Sequence, residues 1–152
     1  MDLKTSAVNA LKGACQMIQK DLEALPDDAF DKCLGGKART VADMIYEVNL
    51  VNEHVGMVIR GEEAFEWPEG WITAPEDFRT KDAVISGFEK TYSRIVSTAE
   101  SFSPELFEEP IEIDGQETTR FERCRFMTLH MWYHSGQLNF IQTLLGDDGW
   151  HW

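Results

Sequence analysis

His130 and His134 stand four residues apart in a stretch that reads as helix, so their imidazoles leave one face about one turn apart. H-x-x-x-H on a helix offers two nitrogen donors to one divalent ion. Met131 sits where the H-E-x-x-H pattern of metalloproteases needs a glutamate, so that motif is absent. The same spacing also suits two hydrogen-bonded core histidines with no ion. A metal reading therefore needs a third ligand from another helix. The segment that opens at Thr40 offers Glu47 and His54, both polar residues beside a valine stripe. They are seven residues apart, on one face but about 10 Å apart along the axis. Donors lie about 2.0 to 2.2 Å from a zinc-like ion, so at most one of the two can join the histidines.

Other residues with chemical potential are fewer. Cys15, Cys33 and Cys124 are odd in number and form no C-x-x-C pair, which fits reduced thiols rather than a disulfide framework. Cys15 and Cys124 fall on apolar stripes and read as small core residues. The sequence displays no Ser-His-Asp or Cys-His arrangement, and no catalytic residue is assigned. Tyr133 and Glu53 are candidate acid–base helpers, with surface or core packing as the competing reading. Trp67, Trp71 and Trp132 are candidates for an aromatic wall.

Four helices must position these groups. Val8, Leu11, Cys15, Ile18, Leu22 and Leu25 recur at spacings of three and four and predict a helix from about Leu3 to Leu25. Val41, Met44, Val48, Val51, Val55 and Val58 predict a second, with Thr40 as N-cap and Gly61 as stop. Val84, Phe88, Tyr92, Ile95, Ala99 and Phe102 predict a third over about Lys81 to Phe102. Cys124, Met127, Met131, His134, Leu138, Ile141 and Leu145 predict a fourth over about Thr119 to Leu145. Four such stripes can be buried only against one another, so the fold class is all-α, a four-helix bundle. The connections leave open whether the helices follow one another simply or by crossovers. The segment from Ile111 to Gln116 alternates and turns at Asp114-Gly115, which suggests a short hairpin. The loop of residues 62–79, with Trp67-Pro68 and Gly70-Trp71, reads as a lid or binding wall.

The chain of 152 residues reads as a single domain over its full length, 1–152. A net charge of −13, with 14 basic residues scattered and no basic stripe, disfavours nucleic acid and anionic membranes. No apolar run suits a membrane span, and the first residues lack an apolar signal core, so a cytoplasmic location is expected.

The stretches Thr40-Val41-Ala42-Asp43-Met44-Ile45-Tyr46-Glu47-Val48 and, above all, Leu129-His130-Met131-Trp132-Tyr133-His134-Ser135-Gly136-Gln137-Leu138 resemble the DinB superfamily of YfiT-like metal-dependent enzymes. The resemblance covers nearly the whole chain in length and helix order. It implies a four-helix bundle, usually with a crossover, often a homodimer, and a metal held by one histidine of the second helix and two of the fourth. His130 and His134 match the pair, and Glu47 falls on the remaining position, where the chain departs from the pattern. Two histidines and a carboxylate still suit zinc or nickel, and also iron or manganese. A vestigial site would carry the same substitution. The resemblance further implies a metal-dependent enzyme acting on a small molecule, either an S-transferase using a low-molecular-weight thiol such as bacillithiol or mycothiol, or a hydrolase. The alternative is a non-catalytic dimeric bundle that binds a metal or a ligand.

Overall fold

In the computed structural model, residues 2–113 and 115–151 are described. Met1, Asp114 of the expected turn and Trp152 lie outside the described residues. Four long helices carry the fold: α1 (Leu3–Ala24), α2 (Val41–Arg60), α3 (Lys81–Ser101) and α4 (Arg120–Leu144). Each begins on a residue whose side chain accepts from a free backbone N–H of the first turn: Asp2, Thr40, Thr80 and Thr119. At α4 the bond is reciprocal, since Glu122 reaches back to the Thr119 backbone N–H. Gly61 closes α2 with φ +76°, a left-handed conformation that glycine adopts without strain.

The stripes read from the sequence form the core, with one shift. Val58 is half-buried, whereas Ile59 is fully buried. A step of four from Val55 keeps the side chain on the inner face as the helix turns about 100° per residue. Cys15 and Cys124 are buried, and burial pushes both thiols up to about 12, so neither is a nucleophile at neutral pH.

Cross-helix contacts fix the directions. Cys15 meets Met131, and Asp21 meets Ser135 and Asn139, so α1 and α4 run parallel. Lys4 donates to the Phe102 carbonyl and Lys81 to the Leu25 carbonyl, so α1 and α3 are antiparallel. Asp43 pairs with Arg79, Glu53 with Arg94, and Thr98 accepts from Arg60, so α2 and α3 are parallel. Arg120 donates to the Ile59 carbonyl while His130 approaches Glu47, so α2 and α4 are antiparallel. The packed pairs are α1 with α4 and α3, and α2 with α3 and α4; the consecutive helices α1 and α2, like α3 and α4, lie across diagonals. The connections between them are therefore crossovers.

This arrangement explains the length of the loop after Gly61. Because α2 and α3 are parallel neighbours, the chain must return the full length of a helix before α3 can start. A 20-residue helix is about 30 Å long. At least nine extended residues are needed to span it, by a reach of about 3.3 Å each. The α3–α4 crossover contains the expected hairpin: β1 (Pro110–Ile113) pairs antiparallel with β2 (Gln116–Thr119), with Ile111 opposite Thr118. Among the described residues no helix is long and apolar enough to cross a membrane.

Candidate metal centre

The α4 histidines face α2. His134 is buried and His130 half-buried, and across from them α2 presents Glu47. The two Nε2 atoms are 3.2 Å apart, and Glu47 Oε1 lies 3.5 Å from that of His130 and 3.9 Å from that of His134. Donors held about 2.1 Å from one ion are separated by roughly 3.4 Å at tetrahedral angles. The three observed edges bracket that value.

Electrostatics prepares the imidazoles as donors. Burial, followed by the neighbouring His130, pushes the His134 ring down to about 4 despite the opposing pull of Glu47. Burial also lowers His130, again against Glu47. Both rings are therefore neutral at neutral pH, the form a metal needs. Their Nδ1 atoms are buried and accept or donate no hydrogen bond among the described residues. The Gln137 carboxamide lies close enough to the His134 ring to raise its basicity, and its own Oε1 is likewise buried without a partner. The donor set thus fits a divalent cation, and Gln137 lies beside it with bonding capacity unused.

Arg39, at the end of the α1–α2 crossover, ties the site together. It forms an ion pair with Glu47, donates to the Asp43 and Ile72 carbonyls at 2.9 and 3.3 Å, and lies 5.3 Å over the Trp71 ring. Asp43 in turn accepts from the Ala74 N–H at 2.8 Å and from Arg79 at 3.0 Å. These bonds bring the returning loop alongside the first turns of α2, at the level of Glu47. A cavity of about 550 Å³ opens there, lined by Lys37, Arg39, Trp71, Tyr133, Gln137 and Phe140 beside Glu47 and His134. The Tyr133 ring stands edge-on to His134 at 5.1 Å, and its hydroxyl accepts from Gln137 Nε2 at 3.0 Å.

The structure thus brings together Glu47, His130 and His134, whose donor atoms all lie within 4.8 Å of one another. His54 is elsewhere, with its ring edge-on against Phe65 and Trp67 at 5.2 and 5.9 Å. Two of the candidate wall residues lie elsewhere. Trp67 does not line the cavity, because the loop passes His54 there and reaches Glu47 only by Trp71. Trp132 lies about 200° around α4 from both histidines and faces outward, 40% exposed. Glu53 is paired with Arg94 of α3, which fits the packing reading of this residue and not the acid–base one. The wall consists instead of Trp71, Tyr133 and Phe140. Arg39 and Phe140 were not singled out by the sequence. The available signal was an aromatic residue on the polar side of α4, seven residues beyond Tyr133.

The sequence matches the family model described as "Protein of unknown function (DUF1572)" over residues 3–152. No curated protein matches it. Among solved structures, YfiT from Bacillus subtilis, described as "a probable metal-dependent hydrolase with an unusual four-helix bundle topology", superposes with a TM-score of 0.76 at 12% identity, over 95% of this chain and 89% of that one. The colibactin self-resistance protein ClbS, in complex with double-stranded DNA, superposes with a TM-score of 0.74 at 19% identity, covering 92% of this chain and 95% of ClbS. A mycothiol-dependent maleylpyruvate isomerase gives 0.65 at 13% identity, covering 89% of this chain and 60% of the isomerase. At these identities the likeness is one of fold.

Proposed function

The chain belongs to the DUF1572 family, a DinB-like family, and we propose that it binds one divalent ion through Glu47, His130 and His134 and uses it in a reaction on a small molecule. The convergence of three donor atoms from two helices at the edge of a cavity carries this reading. Zinc or nickel suits the imidazole pair best, and the carboxylate keeps iron and manganese within range. When bound, the ion would supply Lewis-acid chemistry that makes a thiol or a water nucleophilic at neutral pH.

The chain's own residues do the rest. His130 and His134, kept neutral by burial, present lone pairs rather than charge. Arg39 orients the Glu47 carboxylate and closes the floor of the cavity. Tyr133 Oη accepts from Gln137, which leaves the phenol proton free to be donated to a ligand. Trp71 and Phe140 offer that end an apolar surface for a ligand. The substrate is read as a low-molecular-weight thiol with an electrophilic partner, or a hydrolysable small molecule. The thiol-dependent isomerase and the metal-dependent hydrolase among the fold relatives support these two forms.

Elemental analysis of zinc- or nickel-loaded protein tests the ligand set. About one ion per chain is expected for the wild type and for His54→Ala, and little or none for Glu47→Ala. Glu47→His should keep or strengthen zinc binding. Retention in Glu47→Ala together with loss in His54→Ala would refute the choice of Glu47. The Arg39–Glu47 ion pair favours a second reading, in which the arginine has replaced the ion and the bundle binds a ligand without catalysis. Turnover of a bacillithiol- or mycothiol-type thiol with an electrophile separates the two.

The partner reading follows from the surface. Phe126, Leu129 and Leu144 are exposed along one side of α4, which supports a homodimer that covers them. Sedimentation showing only monomer at tens of micromolar argues against it. The acidic surface supports no role for nucleic acid here, in contrast with ClbS. A mobility shift with duplex DNA at physiological salt tests this. A cytoplasmic location remains part of the same proposal.

A further inference from the structure

We propose that the cavity beside the triad takes an anionic small molecule, with its carboxylate held by Lys37 and Arg39 and an apolar or aromatic body lying against Trp71 and Phe140. This deepens the reading of the cavity as a substrate site and names the class of substrate.

Charge is the first observation. The chain has 27 acidic and 14 basic residues, yet the cavity is lined by two cations, Lys37 and Arg39, and by a single carboxylate, Glu47. That carboxylate is already matched by Arg39. Lys37 is exposed and has no acidic side chain in ion-pair reach among the described residues. Gly35 and Gly36, at φ +129° and +58°, turn the crossover so that Lys37, Ala38 and Arg39 all reach the cavity lining. Loading the triad strengthens the effect. A dication on two neutral imidazoles, with Lys37, Arg39 and the single carboxylate of Glu47, leaves the site strongly cationic. A monoanion reduces that excess, whereas a cation is repelled.

Shape is the second observation. Trp71 has one side covered by Arg39 but remains 76% exposed, and Phe140 remains 64% exposed. Met44 and Ile141 complete an apolar lining below them. A volume of about 550 Å³ suits an organic molecule larger than a simple inorganic anion. An anion alone would leave these aromatic surfaces uncovered, so the ligand combines one negative group with a hydrophobic body.

The test titrates 3-phenylpropionate, its primary amide and 3-phenylpropylamine into zinc-loaded and metal-free full-length protein, followed by calorimetry and tryptophan fluorescence. The carboxylate should bind about tenfold or more tightly than the amide, the difference expected of a charge-assisted hydrogen bond. The amine should not bind. Lys37→Gln and Lys37→Glu should weaken the carboxylate progressively, leave the amide unchanged, and leave zinc content unchanged. Trp71→Ala should weaken carboxylate and amide alike. Equal binding of carboxylate and amide, indifference to both Lys37 variants, or no carboxylate binding at millimolar concentration overturns the proposal. Zinc content measured on the same samples keeps the two readings apart. Absence of zinc defeats the metal assignment, while carboxylate selectivity in the metal-free protein still decides this one.

Discussion

His134 and Ser135 are adjacent in α4, yet they look into two different buried polar clusters. Ser135 faces α1, where its hydroxyl donates to Asp21 Oδ2 at 2.6 Å and Asn139 donates to Oδ1 at 2.9 Å. Gln142 adds a bond to the Asp21 carbonyl at 3.2 Å. His134 faces α2, where a carboxylate is again present, but both imidazole Nδ1 atoms and Gln137 Oε1 lack hydrogen-bond partners among the described residues. Each cluster holds one carboxylate and several neutral polar groups, and the second adds the Arg39 guanidinium paired with Glu47. In the first, donors and acceptors close on one another, and the cluster acts as a strap between parallel helices. In the second, the donor atoms converge on a point between them and leave bonding capacity open. The contrast separates a polar cluster whose groups are bonded to one another from one whose donor atoms converge with bonding capacity in reserve.

The comparison can be broken most sharply at His134. His134→Ala should reduce metal affinity by on the order of a hundredfold or more, since ligand loss exceeds the loss of an outer group. Asp21→Ala should leave the metal stoichiometry unchanged; equilibrium dialysis of both variants checks this pair, and the reverse outcome would collapse the distinction. Asp21→Ala should instead lower the unfolding free energy by about 1 to 3 kcal/mol in urea titrations, because Ser135 and Asn139 lose a buried acceptor. Gln137→Leu should weaken metal binding by roughly 10- to 100-fold with little change in stability. Competition against a chelating dye measures it, and an unchanged affinity would remove Gln137 from the outer shell.

The smallest effect concerns pH. Burial raises the Asp21 carboxyl, with Ser135 and Asn139 pulling the other way. Its folded pKa is therefore above the unfolded value of 3.8. Between the two, the folded chain holds a proton that the unfolded chain has released. Stability from this group is thus full below 3.8 and declines as pH rises through the folded pKa. Asp21→Asn removes that decline, so its stability relative to wild type should increase with pH across this window, by at most about 1.4 kcal/mol per pH unit. Urea unfolding of the two proteins from acid to neutral pH reads the difference. A constant offset would mean that Asp21 is not strained by its burial.

The sequence displayed some of this directly. The 3–4 stripes located all four helices, because each inner face is apolar and Thr40 and Gly61 mark ends by caps. Stripes state which face is buried but not against which partner, so the parallel pairing of α2 with α3 was not legible. His130 and His134 were legible from helix geometry alone. Glu47 emerged only through family resemblance, since its polarity beside a valine stripe was shared by His54. Asp21 escaped notice although it lies three residues after Ile18 and four before Leu25, on the apolar stripe. A charged residue at such a position was a signal. Arg39 offered none: it sits in a crossover, and its reach to Glu47 depends on how that crossover folds.

The parallel pairing of α1 with α4 has a consequence for biosynthesis. The two helices come from opposite ends of the chain, so the α1 stripe waits for its principal cover until the last helix has left the ribosome. Glu47, too, is made long before His130 and His134. The proposed ligand set cannot be complete before His130 and His134 have been made. Closing so long a loop is entropically slow, and the uncovered apolar surface is exposed to aggregation in the meantime. A chain cut short before α4 would therefore lose its core and its candidate metal site in a single event.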